Sequence, residues 1–134
     1  MAHTLDGVVL YEIFSDGCLN GVFSNNHPAG FINDAAGNRI GNRLFNEIAR
    51  KIDQNDNDIL NNPSALIGNY ICSYIDLGGV VCECRLEISL GHIRRNGRAC
   101  EYDFIWTDRT IGARIFEGSG WRIGNRIAVS YRDI

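Results

Sequence analysis

The chain has no excess of positive charge, no long apolar run and no even, regularly spaced set of cysteines, and each absence removes a class of function. Its 13 Lys and Arg stand against 16 Asp and Glu, a formal charge of −3. The electrostatic footprint needed to grip a polyanion is therefore missing, and nucleic acid is not an expected partner. Apolar runs last only a few residues, far below the ~20 that cross a bilayer, so no membrane partner is expected either. Met1 to Asp6 carry neither the basic start nor the apolar stretch of a secretory signal. Five cysteines suit buried reduced thiols better than a secreted disulfide scaffold. Both observations predict a cytoplasmic protein, unless a native leader has been removed.

Signatures of catalysis and metal binding are scarce too. There is no Gly-x-Ser-x-Gly elbow, no His-x-x-x-His pair and no glycine-rich phosphate loop. An enzyme is not the expected reading, since it would need His27 or His92 to converge with Glu12 or a thiol; His3 sits at the terminus. Cys72, Cys82, Cys84 and Cys100 lack the Cys-x2-4-Cys spacing of a zinc site. Asp53-x-Asn55-x-Asn57 begins like a calcium loop, but Asp58 and Ser64 stand where the turn glycine and the bidentate glutamate belong. Neither metal nor cofactor is expected. The basic run His92, Arg94, Arg95 and Arg98 reads as a solvated hairpin tip, with an anion site as the sharper alternative.

What the chain does have is a period of two. Val80, Cys82, Cys84, Leu86, Ile88 and Leu90 alternate with Val81, Glu83, Arg85, Glu87 and Ser89, and Cys100, Tyr102, Phe104 and Trp106 continue the pattern. One apolar and one polar face is the mark of antiparallel strands with a single buried side. Asp16-Gly17, Gly78-Gly79 and Gly124-Asn125 lie between such runs and predict hairpin turns. A two-residue turn at Gly124-Asn125 sets Ile123 against Arg126 and Glu117 against Arg132, where opposite charges meet. Phe116, Gly118, Gly120, Ile127 and Tyr131 then share the inner face, and Trp121 points outward.

Arg39-Ile40-Gly41-Asn42-Arg43-Leu44 nearly repeats Arg122 to Ile127, which suggests a further hairpin turning at Gly41-Asn42. The same region also fits one short helix near 43–52, because Leu44, Phe45, Ile48, Ala49 and Ile52 form a helical stripe. The polar connector 53–64 reads as a surface loop separating N-terminal hairpins from a C-terminal meander. At 134 residues the chain is one domain, 1–134. The expected fold is mainly β: an antiparallel up-and-down meander of about eight strands closing into a barrel, which removes exposed edges.

A barrel of this size can be filled by its own side chains or hold one small ligand. Gly118 and Gly120 beside Phe116 and Tyr131, joined by Tyr102, Phe104 and Trp106, would line an aromatic space; equally, Tyr131 over Gly118 could be packing alone. Glu12 joins this set if the face carrying Val8, Leu10 and Phe14 is interior, since a buried carboxylate marks a site. If Val9, Tyr11 and Ile13 face inward instead, Glu12 is an ordinary surface residue.

The closing stretch Phe116-Glu117-Gly118-Ser119-Gly120-Trp121, followed by Val129-Ser130-Tyr131, resembles lipocalin-like and avidin-like barrel proteins over Leu66 to Ile134. That resemblance implies a small ligand-binding β-barrel. It departs from both families: Gly7-Val8-Val9 lacks the tryptophan of the lipocalin Gly-x-Trp, and only Trp106 and Trp121 are present where an avidin has several pocket tryptophans. The expected function is binding of a small apolar or aromatic molecule. The alternative is a solidly packed interaction or regulatory module whose outer face, with Trp121, meets a protein partner or a second copy in a homodimer.

Overall fold

The computed structural model describes residues 5–53, 62–75, 79–91, 94–95, 98–99 and 101–134. Eight of its strands form a closed antiparallel barrel: β1 (Asp6–Ile13), β2 (Cys18–Asn25), β5 (Phe45–Lys51), β6 (Gly68–Ile75), β7 (Val81–Leu90), β10 (Tyr102–Asp108), β11 (Arg114–Ile123) and β12 (Arg126–Asp133). Each pairs with the next, and β12 returns to β1, which is the expected up-and-down closure. Two small hairpins lie outside the barrel: β3 (Phe31–Asn33) with β4 (Arg39–Asn42), and β8 (Arg94–Arg95) with β9 (Arg98–Ala99). His3, His92 and Cys100 fall outside the described residues. No helix among the described residues is long and apolar enough to cross a membrane.

Alternation decides which face is inside. On β7, Cys84, Leu86 and Ile88 are buried while Glu83, Arg85 and Glu87 are exposed. The β11–β12 register is the one the two-residue turn predicts, from Ile123 opposite Arg126 to Glu117 opposite Arg132. Gly124 takes the positive φ of +61° that this turn requires. Across that ladder the Arg132 guanidinium donates to Glu117 Oε1 at 2.8 Å. The Asp16-Gly17 hairpin is one residue longer than a two-residue turn. Phe14 N–H bonds to Cys18 O, Gly17 N–H returns to Phe14 O, and Gly17, the last of the three loop residues, has a positive φ of +86°.

Two expectations for 35–52 are corrected. Gly41-Asn42 is no turn but part of β4; the chain reverses at Asp34 to Gly37 instead. There Asp34 Oδ1 accepts the N–H groups of Ala36 and Asn38, and Gly37 has φ +86°. Nor is there a helix near 43–52, because β5 hydrogen-bonds to β2 on one side and β6 on the other. A helix there would leave both neighbours with open edges. β5 turns Phe45, Glu47, Ala49 and Lys51 inward and leaves Ile48 exposed. Of the polar connector 53–64, residues 54–61 lie outside the described residues, and Asp53 and Ser64 are exposed. A 3-10 turn (Pro63–Leu66) ends the connector and drives Ala65 and Leu66, just beyond it, into the core.

That turn closes one end of the barrel. Leu66 packs in a core cluster with Ile13, Leu19, Tyr70, Ile88, Tyr102 and Ile127. Tyr70 OH donates to Leu66 O at 2.7 Å and Lys51 Nζ to Ala65 O at 2.6 Å. In the core, large inward rings lie over glycines of neighbouring strands: Tyr11 over Gly21, Phe104 over Gly120, Trp106 over Gly118 and Tyr131 over Gly7. A methyl group at Gly7, Gly21 or Gly120 would collide with the ring above it, and one at Gly118 would meet the Ser130 carbonyl oxygen at 2.9 Å and crowd the Trp106 indole at 3.2 Å, so the glycines are where wall thickness is given up to fit an aromatic layer.

Candidate ligand cavity

The opposite end of the barrel is open. A cavity of about 200 Å³ lies there, lined by Val9 (β1), Phe23 and Asn25 (β2), Glu47 (β5), Tyr74 (β6), Cys84 (β7), Trp106 (β10), Phe116 (β11), Tyr131 (β12) and Leu5. Every barrel strand contributes a wall residue. Its aromatic side is a continuous stack: Tyr11 on Phe104, Phe104 on Trp106, Trp106 tilted against Tyr131, and Tyr131 edge-on to Phe116 at 5.7 Å. Phe23, wedged between Phe45 and Tyr74, makes the facing wall.

Glu47 is the single ionisable carboxyl in this lining and is only 8% exposed. Tyr11 OH donates to its Oε2, and the Cys72 thiol lies 3.9 Å from the same oxygen. Oε1 has no hydrogen-bond partner among the described residues. No Lys, Arg or His lines the cavity among those residues, so nothing compensates a negative charge. Burial accordingly pushes the Glu47 carboxyl up to about 8, and the nearby Trp106 indole and Cys72 thiol only partly oppose it. Trp106 Nε1–H itself is buried close to the Glu47 carboxyl but meets no acceptor at hydrogen-bond geometry. Tyr131 OH accepts from Asn25 Nδ2 at 3.2 Å, and burial moves that phenol up to about 12. Burial also raises the Tyr74 phenol.

No family model, curated protein or solved structure matches the chain. The resemblance to lipocalin-like and avidin-like proteins thus finds no support in these comparisons, and the site has to be read from its own residues.

The structure brings three of the sequence-derived site residues, Trp106, Phe116 and Tyr131, to the cavity. Phe104 lies beneath them in the stack, and Tyr102 is buried one layer further toward the closed end. Gly118 and Gly120 are covered by Trp106 and Phe104 and open no space of their own. Glu12 is corrected: Val9, Tyr11 and Ile13 are the buried residues of β1, and Glu12 faces solvent between Asn20 and Arg126. His27, exposed beyond the open end, accepts the Ala29 N–H through Nδ1 at 3.1 Å and caps a 3-10 turn (Pro28–Gly30). Glu12 stands near the other end of the barrel, so these two groups do not meet. Trp121 is 44% exposed on the outer wall. In register with Ala128, Leu10 and Val22 it forms an apolar row across β11, β12, β1 and β2.

Glu47, Asn25, Phe23 and Tyr74 were not legible as site residues. The one available signal for Glu47 was its period-two relation to Phe45 and Ala49, which the helical stripe through Ile48 obscured.

Proposed function

We propose that the protein binds one small, largely apolar or aromatic molecule in the open end of its barrel. The observation that carries this reading is the Trp106 N–H, a buried donor with no acceptor on the wall of an open aromatic cavity. An unmet buried donor costs about 1–3 kcal/mol, and native interiors rarely keep one without a reason. A ligand accepting that hydrogen bond removes the cost. Size limits the choice: a dry cavity of roughly 150 Å³ takes a benzene, so this one suits a single substituted ring or a fused pair.

The test uses the two tryptophans separately. With Trp121→Phe, Trp106 is the remaining tryptophan, and its fluorescence reads cavity occupancy directly. Titration with a panel of one- and two-ring compounds should shift that emission saturably. Native mass spectrometry of protein from its own host should also show an extra mass on the folded chain that denaturation removes. A bare chain together with no fluorescence response to any compound would overturn the reading.

A second reading follows from the outer wall. Val8, Leu10, Val22 and Leu44 are exposed alongside Trp121, a contiguous apolar surface suited to another protein or a second copy. A dimer in sedimentation velocity that Leu10→Ser dissolves would support it, and a monomer at all concentrations would remove the homodimer.

A further inference from the structure

Resting on that ligand-binding reading, we propose that the polar end of the ligand is an uncharged carbonyl oxygen, received jointly by the Trp106 indole N–H and the Glu47 carboxylic O–H.

The geometry assigns the two oxygens of Glu47 different roles. Oε2 accepts from Tyr11 OH and faces the Cys72 thiol, which makes it the carbonyl-like oxygen of a neutral acid. The proton then belongs on Oε1, the oxygen left without a partner. The groups facing Glu47 are Tyr11 from β1, Asn25 from β2, Cys72 and Tyr74 from β6, Cys84 from β7, Trp106 from β10 and Tyr131 from β12. None is a cation, so ionising Glu47 in this wall would bury a charge without a counter-ion. Trp106 N–H is a donor and cannot accept. Two donors with no acceptor of their own therefore line the same small space, and one carbonyl oxygen, with two lone pairs, satisfies both. An ammonium would leave Trp106 unmet, and a carboxylate would bring an unpaired charge into an apolar cavity. An aromatic aldehyde, ketone or amide has the right chemistry: its ring lies against Trp106, Phe116 and Tyr131 while its oxygen reaches the two donors.

Three probes of nearly one shape separate the alternatives: acetophenone, 1-phenylethylamine and ethylbenzene, each titrated into the wild-type protein and followed by NMR. At about pH 6.5 acetophenone should bind roughly tenfold tighter than ethylbenzene, the scale of one to two net hydrogen bonds. That advantage should shrink as the pH rises past about 8, where Glu47 loses its proton. Cys72, Tyr74 and Tyr131 are all shifted upward and do not lose protons in this window. Glu47→Gln, whose carboxamide N–H replaces the acid O–H, should keep the acetophenone preference and make it independent of pH. Trp106→Phe should reduce it several-fold.

Tightest binding by 1-phenylethylamine, lost in Glu47→Gln, would overturn the carbonyl proposal and leave ligand binding intact. Equal binding of acetophenone and ethylbenzene would do the same. Failure of all three probes, together with a silent fluorescence panel, would sink the ligand-binding reading itself.

Discussion

The two ends of the barrel are built from the same eight strands, yet one is packed shut and the other is left incomplete. At the closed end Leu66 enters the core, and the carbonyls around it are met by Tyr70 OH and Lys51 Nζ. At the open end Phe23 and Phe116 are only half-buried, Trp106 N–H has no acceptor, and about 200 Å³ stays empty of protein. An eight-stranded barrel has an interior that side chains can fill, and the closed end demonstrates that this sequence has the residues to do it. The open end thus gives up stability that the fold could have had, the usual accompaniment of a binding site.

The contrast is broken most severely from its stable side. Leu66→Ala leaves a hole where the plug was and should lower the unfolding free energy by roughly 2–5 kcal/mol in urea titration; a loss below about 1 kcal/mol would mean that the turn does not seal the barrel.

Next in size, and opposite in sign, is Glu47→Gln. The carboxyl ionises near 4.5 when unfolded and about 8 in the fold. Between these values the unfolded chain has released a proton that the native state keeps, so stability falls as pH rises through that window. The penalty is absent below the lower value and stops growing above the upper one. By pH 7 it amounts to about 3 kcal/mol. Glu47→Gln should therefore be more stable than wild type by about that amount at pH 7, and no more stable at about pH 4. Urea titrations at the two pH values check this, and a difference that does not change with pH would remove the neutral acid from the open end.

Gly120→Ala tests how far the two ends are coupled. The added methyl would sit 2.7 Å from Phe104 Cε1, and Phe104 is stacked on Trp106 at 5.7 Å. Overpacking of this kind costs about 1–3 kcal/mol. It should also displace the indole at the cavity wall, read as a changed Trp106 emission in the Trp121→Phe background. Lost stability with unchanged emission would show that the ends respond independently.

What could be read from sequence follows the same division. Alternation is clean on β7, and the β11–β12 register follows from one turn and one charge pair, because in both places local pattern and final pairing agree. β5 is different. Its inner row holds one large apolar residue, Phe45, with Glu47 and Ala49, while Ile48 sits outside. Only pairing to β2 and β6, far along the chain, fixes which face is inside. The plug was hidden in a similar way, since Ala65 and Leu66 follow a long polar connector whose composition gives no hint of an inward turn.

Glu12 offers the smallest expected effect and the sharpest control on Glu47. Both are glutamates on strands with apolar residues nearby, and the neighbours of Glu12 at alternate positions, Leu10 and Phe14, look like a core face. They are exposed, at 45% and 39%, because the outer wall of β1 is apolar as well, so alternation on β1 does not reveal which side is in. In solvent, Glu12 needs no compensation and faces no cavity. Glu12→Gln should leave the unfolding free energy within about 0.5 kcal/mol of wild type, remove none of its pH dependence between the two Glu47 values, and leave ligand titration of Trp106 unchanged. If the substitution shifted that titration, the inner and outer walls of β1 would have to be exchanged, and with them the assignment of Glu47 as the carboxyl of the site.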